Sequence, residues 1–233
     1  MGKKSIVFIV IGFGLLLIMV ALQILINIYL LNFVRTDKIY DANILKVVEI
    51  KVFDEEEKFG FATGCFISTD GMILTNKHVI FNQNTNNFYS NVLIRSAEDD
   101  EYTRANILRV SDTDDLALIK IEKQPSCCFK FGESVSNGST IFSIGNPCGF
   151  GLSFIQGVVS SNLRQVDYNG KSTNAIQTSF VINEGNSGGP VFDSMGKLLG
   201  IISFRLKDNK GDLIQGCSFA IPISVIKQFI YNK

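Results

Sequence analysis

Asn183-Glu184-Gly185-Asn186-Ser187-Gly188-Gly189-Pro190 sets one small hydroxyl side chain among glycines, directly behind an apolar run that ends at Ile182. Glycine takes up positive φ without steric cost, and its backbone N–H can approach a bound carbonyl that a Cβ would hold off. The serine is therefore presented rather than packed. A serine hydroxyl is a weak nucleophile until an adjacent base takes its proton, and that base needs a third group to orient it. Reading outward from the turn means finding a histidine and a carboxylate.

The chain holds a single histidine, His78, in Leu74-Thr75-Asn76-Lys77-His78-Val79-Ile80, just after an apolar run. A neutral imidazole can accept the serine proton and return it to a leaving group if its other nitrogen is held by an acceptor. The acceptor candidate lies in Asp112-Thr113-Asp114-Asp115-Leu116-Ala117-Leu118-Ile119-Lys120. Asp115 adjoins the apolar strand, where partial burial suits an orienting carboxylate. Asp114 points to the opposite side, and both Asp112 and Asp114 read as turn or capping residues.

Of the 233 residues, 46% are hydrophobic, and most of the excess lies at the front. Residues 6–34 carry no charge, and Gln23, Asn27 and Asn32 are their main polar interruptions. A bilayer needs about 20 apolar residues. A cleaved signal has a shorter apolar core and a small-residue cleavage site, which this stretch does not show, so it reads as an uncleaved anchor. Lys3 and Lys4 on one side balance Arg35 and Lys38 on the other. The formal net charge of zero, without a basic run carrying interleaved aromatics, points away from nucleic acid. The five cysteines, Cys65, Cys127, Cys128, Cys148 and Cys217, show no metal-ligand spacing and no dense disulfide framework. Neither a metal nor a cofactor is expected.

Residues 36–43 read as a polar linker, and from residue 44 the chain becomes short strand-like runs between turn residues. In the first series these are residues 44–53, 59–68, 72–75, 92–95, 102–110 and 116–121. Residues 54–58 read as a solvated hairpin loop and residues 82–91 as an Asn-rich surface loop. Lys123-Gln124-Pro125-Ser126 separates the two series. The second comprises residues 139–144, 153–160, 174–182, 191–192, 197–206 and 216–221, before a helix with Ser224 as its N-cap. The pattern predicts an all-β chain: two six-stranded antiparallel β-barrels, at about 44–122 and 128–233, a C-terminal helix, and one N-terminal transmembrane helix within residues 1–35.

Thr-Asn-Lys-His-Val, Asp-Leu-Ala-Leu-Ile and Gly-Asn-Ser-Gly-Gly-Pro, in that order, resemble the motifs of trypsin-fold serine peptidases, particularly the HtrA/Deg branch. Gly145-Asn146-Pro147-Cys148-Gly149, Gly157-Val158-Val159-Ser160, Ile176-Gln177-Thr178 and Ser218-Phe219-Ala220-Ile221-Pro222 extend the resemblance over residues 44–230. An α/β-hydrolase would place its histidine last, which the position of His78 excludes. The resemblance implies Ser187 as nucleophile, His78 as general base then acid, Asp115 as orienter, and the N–H groups of Gly185 and Ser187 as oxyanion hole. It also implies that the strand at Ser203 pairs with substrate and supports Asp115, that Val181 and Ile182 floor an apolar pocket, and that Phe204 and Arg205 lie near its entrance. Partners would be protein or peptide substrates and, through residues 6–34, a lipid bilayer, with the peptidase domain outside the cytoplasm; an oligomer is compatible. Alternatives are a catalytically silent peptide-binding relative or a glutamate-selective peptidase using Arg205. Two departures stand out. Asn186 replaces the aspartate that pairs with a freed N-terminus in trypsin-like zymogens, and the chain closes on the helix after Pro222, where HtrA/Deg proteins usually append a PDZ domain.

Overall fold

The computed structural model describes residues 2–32, 35–54, 59–168, 171–207, 210 and 213–232. It divides into two compact units, residues 1–39 and 40–233. Helix α1 (Lys3–Asn32) dominates the first, and its stretch Phe8–Tyr29 is long and apolar enough to cross a membrane. Residues 36–43, expected as a linker, instead form helix α2 (Thr36–Asn43), with Asp37 in its first turn and Ile39 and Asn43 buried. An acidic residue there complements the positive end of the helix dipole.

In the second unit, β1 (Val47–Phe53), β2 (Phe59–Phe66) and β3 (Met72–Thr75) lead into a single helical turn, α3 (Lys77–Ile80). After it come β4 (Phe81–Asn82), β5 (Asn87–Phe88), β6 (Asn91–Ser96), β7 (Thr103–Arg104), β8 (Asn106–Val110) and β9 (Ala117–Lys120). The sheet runs β7-β6-β1-β2-β3-β9-β8. The expected strand 102–110 is divided at Ala105, which is buried and donates its N–H to Val92 O at 2.9 Å. One part pairs with β6 and the other with β9, so a single run supplies both edges and the sheet curls. Alternation sends Val48, Ile50 and Val52 of β1 into the enclosed core with Ala62, Phe66, Ile73 and Ile94. Residues 82–91 are not one open loop: β4 and β5 form a short hairpin, with the Phe81 and Phe88 rings 5.2 Å apart and Asn86 at φ 54°. Asparagine is among the few residues that accept that conformation readily. Of the charged loop 54–58, residues 55–58 lie outside the described residues.

The second half contains β10 (Lys130–Phe131), β11 (Thr140–Gly145), β12 (Ser153–Tyr168), β13 (Lys171–Thr178), β14 (Pro190–Phe192), β15 (Lys197–Lys207) and β16 (Leu213–Pro222). Order β10-β15-β14-β11-β12-β13-β16, with β15 also paired to β16, closes a ring. Ile141, Val159, Ile176, Val191, Leu199 and Ile202 fill it. β12 runs well past the expected residue 160, because Leu163, Arg164, Gln165 and Asp167 are exposed and give no apolar alternation to read. Phe180 and Ile182, expected as the end of a strand, lie beyond β13 and plug the core as irregular chain.

Aromatic rings pack together in the second half: Phe129 meets Phe192 at 5.4 Å, and Phe142 lies between Phe192 (6.1 Å) and Phe154 (5.6 Å). Helix α4 (Ile223–Tyr231) begins one residue before the expected cap Ser224, with Pro222 in the cap position at φ −72°. Proline has no N–H to extend the ladder and its fixed φ suits a helix start. Ile226 and Phe229 of α4 are buried, and Arg109 stacks on the Phe229 ring at 5.1 Å. Replacing Phe142 by alanine should cost about 3–5 kcal/mol in chemical denaturation, as for other fully buried aromatic rings.

Candidate functional site

α3 follows β3 at once, so His78 projects from the end of a rigid strand, and Asp115 stands two residues before the neighbouring strand β9. The His78 N–H donates to Asp115 Oδ1 at 2.9 Å, and His78 Nδ1 lies 2.6 Å from Asp115 Oδ2. A carboxylate only accepts, so Nδ1 is the donor, and in the neutral ring Nε2 then presents its lone pair. Ser203 Oγ donates to Asp115 Oδ2 at 2.7 Å, and Asn76 Nδ2 donates to Asp115 O at 2.9 Å. Asp115 is thus pinned from both halves. Asp114 turns away, its Oδ2 accepting from Thr113 Oγ1 at 2.8 Å and Ser111 Oγ at 3.2 Å.

Ser187 occupies the turn between Ile182 and β14. Thr63 of β2 holds this turn from the first half: its N–H donates to Ser187 O at 3.0 Å and its Oγ1 to Gly185 O at 2.7 Å. Gly188 N–H donates to Ile202 O, and Ile202 N–H to Gly189 O, each at 2.9 Å, which fastens the other side to β15. Two glycines are obligatory here. A Cβ on Gly185 (φ +94°) would lie 2.1 Å from Asn146 O, and one on Gly188 (φ +83°) 2.0 Å from Thr63 O. Ser187 Oγ donates to Ser203 O at 3.4 Å.

The peptide between Glu184 and Gly185 has a fixed direction. Cys148 N–H donates to Glu184 O at 2.8 Å, and because C=O and N–H of a trans peptide point opposite ways, the Gly185 N–H faces away from that loop. Among the described residues the N–H groups of Gly185 and Ser187 have no hydrogen-bond partner. Both residues line a cavity of about 200 Å³ with His78, Phe61 and Tyr89. A larger one, about 380 Å³, runs from His78 and Asp115 past Ser203 and Phe204 to Phe81, Ile221 and Val225.

The structure thus gathers His78, Asp115, Ser187, Gly185 and Ser203. Phe204 is buried and stacks on Phe219 at 5.0 Å while lining the larger cavity. Ile182 is packed in the core of the second half, Val181 is 59% exposed, and Arg205 is half-buried opposite Ser218 on β16. Asn186 is 1% exposed, its Oδ1 lying against Gly145 without a hydrogen-bond partner among the described residues. Thr63, Asn76 and Asn146 are residues that sequence reasoning left without a role; their partners are distant in the chain, and only Asn76 and Asn146 lay within motifs that stood out. No group of three or more histidine, cysteine or acidic side chains placed to hold a metal occurs among the described residues. The five cysteines are free thiols, and burial pushes that of Cys65 far above its ordinary range, which leaves it inert.

Two curled, mainly antiparallel sheets, one a closed ring, with histidine and aspartate from the first half meeting serine from the second, define a trypsin-like fold. The chain belongs to the trypsin-like peptidase domain family, whose model matches residues 62–201. It is 36% identical over 173 residues to a probable periplasmic serine endoprotease, DegP-like, of Pseudomonas fluorescens, covering 73% of this chain and 34% of the relative. To the serine endoprotease DegS of Haemophilus influenzae it is 31% identical over 176 residues, covering 74% of this chain and 49% of that protein. The chain thus spans about a third to a half of the length of these relatives. Among solved structures, the HtrA-type protease AlgW with a tripeptide superposes with a TM-score of 0.72 at 25% identity, covering 85% of this chain and 64% of that one. A protease of M. tuberculosis in its active form shares the fold, with a TM-score of 0.70 at 19% identity over 82% of each chain.

Gly188→Ala should destabilise the protein by more than the roughly 1–3 kcal/mol usual for a strained backbone, since the new Cβ meets the Thr63 carbonyl as well. Thermal unfolding beside the wild type checks this.

Proposed function

We propose that the protein is a membrane-anchored serine endopeptidase. The observation that carries this reading is the continuous hydrogen-bonded line Ser203–Asp115–His78 beside Ser187 and two unbonded N–H groups. Ser187 Oγ turns from the Ser203 carbonyl to His78 Nε2, loses its proton there and attacks the scissile carbonyl. The N–H groups of Gly185 and Ser187 take up the oxyanion, and Asp115 stabilises the imidazolium that forms. His78 then gives the proton to the leaving amine. Water repeats the sequence on the acyl-enzyme and frees Ser187.

Substrate lies along β15. The larger cavity, walled by Phe81, Phe204, Ile221 and Val225, takes side chains on the acyl side, and the smaller one beside Ser187 takes the leaving side. The apolar side chains of Phe81, Phe204, Ile221 and Val225 in the larger cavity favour small or aliphatic residues on the acyl side of the scissile bond. The substrates are protein or peptide chains, in keeping with relatives named as endoproteases. Helix α1, through Phe8–Tyr29, anchors the peptidase domain to a bilayer, with that domain on the extracytoplasmic side as in relatives named periplasmic.

A fluorophosphonate probe should label the wild type at Ser187, and Ser187→Ala should not be labelled. Turnover of a peptide selected from a library should fall on the order of 10⁴–10⁶-fold in Ser187→Ala and in His78→Ala. An unlabelled wild type, or labelling that survives Ser187→Ala, overturns the peptidase reading. For the anchor, the full chain should stay with membranes through alkaline extraction; release into the supernatant contradicts it.

A further inference from the structure

β1 is buried on both faces near its start: Val48, Ile50 and Val52 point into the core of the first half, whereas Glu49 reaches Asn146 of the second. Glu49 is a carboxylate only 8% exposed. Burial of a charge is unfavourable unless donors surround it. Its Oε2 accepts from Tyr102 OH at 3.0 Å, Arg95 Nη2 at 3.1 Å and Asn146 Nδ2 at 3.4 Å. Arg95 also stacks on the Tyr102 ring at 4.7 Å, so the first two donors form a rigid seat. The third comes from the other half of the domain.

Asn146 is where the oxyanion turn is hung. Its N–H donates to Thr63 Oγ1 at 2.9 Å, and its Oδ1 accepts from Gly151 N–H at 2.8 Å. Its carbonyl sits so close to Gly185 that only glycine fits. Two residues on, Cys148 adopts φ +55°, a conformation that non-glycine residues rarely take, and aims its N–H at Glu184 O. That bond turns the Gly185 N–H outward. A strained residue of this kind persists only where its surroundings over-determine it. With the side chain of Asn146 released from Glu49, nothing from the first half holds the loop 146–151 by a hydrogen bond except Thr63, among the described residues.

We infer that Glu49 is a positioning residue: through Asn146 and the strained Cys148 it keeps the Glu184–Gly185 peptide turned with its N–H toward the oxyanion. The inference rests on the peptidase reading for its kinetic consequence, but its structural consequence does not depend on catalysis.

The test combines steady-state kinetics and crystal structures of Glu49→Leu, Tyr102→Phe and the swapped pair Glu49→Gln/Asn146→Asp. Glu49→Leu, which removes the acceptor, should lower kcat about 10–100-fold with KM within about twofold, because an oxyanion donor acts in the transition state and not in ground-state binding. In the swapped pair the amide at position 49 donates and the carboxylate at position 146 accepts, so kcat should recover to within about threefold of the wild type. Tyr102→Phe, a milder change that keeps the ring, should lower kcat about threefold if Glu49→Leu proves too unstable to purify. In the crystal structure of Glu49→Leu, or of Tyr102→Phe in its place, the Cys148 N–H to Glu184 O bond should be lost or lengthened, whereas the swapped pair should keep it. In the single variants, retention of that bond unchanged, an unchanged kcat, or a loss confined to KM or to thermal stability overturns the inference. A wild type without hydrolytic activity sinks the peptidase reading alone, and the variant structures then decide the positioning claim.

Discussion

One threonine holds the two halves of the domain in a working relation. Thr63, in the middle of β2, donates its N–H to Ser187 O and its hydroxyl to Gly185 O, while that hydroxyl accepts from the Asn146 N–H and its own carbonyl accepts from Thr75 Oγ1 at 2.8 Å. Every polar atom of the residue is used. The residue itself is fully buried, so each bond would be costly to leave unmade, and a threonine side chain with one donor and two lone pairs matches the demand. The rest of the site depends on this clamp, because His78 and Asp115 come from the same half as Thr63 while Ser187 does not.

The clamp explains why the turn is built of glycine. The backbone of residues 185–188 passes within van der Waals contact of Asn146 and Thr63 carbonyls, and positive φ at both glycines lets it do so. Close passage brings the turn near enough for its carbonyls to be captured, and once Gly185 O and Glu184 O are captured, the N–H groups have only the cavity to face. In the proposed mechanism this is preorganisation: the donors await the oxyanion and need not be reoriented when charge develops. Asn186 contributes by packing, its side chain buried against Gly145 where a trypsin-like zymogen would carry an aspartate.

Much of this was legible in the sequence, and what was missed has a common cause. The unique His78, the strand-adjoining Asp115 and the glycine-flanked Ser187 announce themselves because each breaks a local apolar pattern, and the all-β architecture follows from period-two runs between turns. Thr63 looks like any strand threonine between Ala62 and Gly64, and its partners in the second half lie more than 80 residues away. Glu49 reads as the polar member of an alternating strand, and nothing local tells that its face is covered by the second half. β12 outran its expected end because most of its outer residues are polar or exposed, and α2 was missed because eight mostly polar residues show no apolar stripe. Local chemistry is visible in the sequence; long-range capture of backbone groups is not.

The central claim is that Ser187 attacks while the N–H groups of Gly185 and Ser187 receive the oxyanion. Its most direct test is the crystal structure of the protein with a peptide boronic acid, whose boron takes on the tetrahedral geometry of the reaction intermediate. The account predicts a covalent bond from Ser187 Oγ to boron and one boron oxygen within hydrogen-bond distance of both N–H groups. A boronate bonded elsewhere, or one whose oxygens avoid Gly185 while Glu184 O has swung into the cavity, would contradict it.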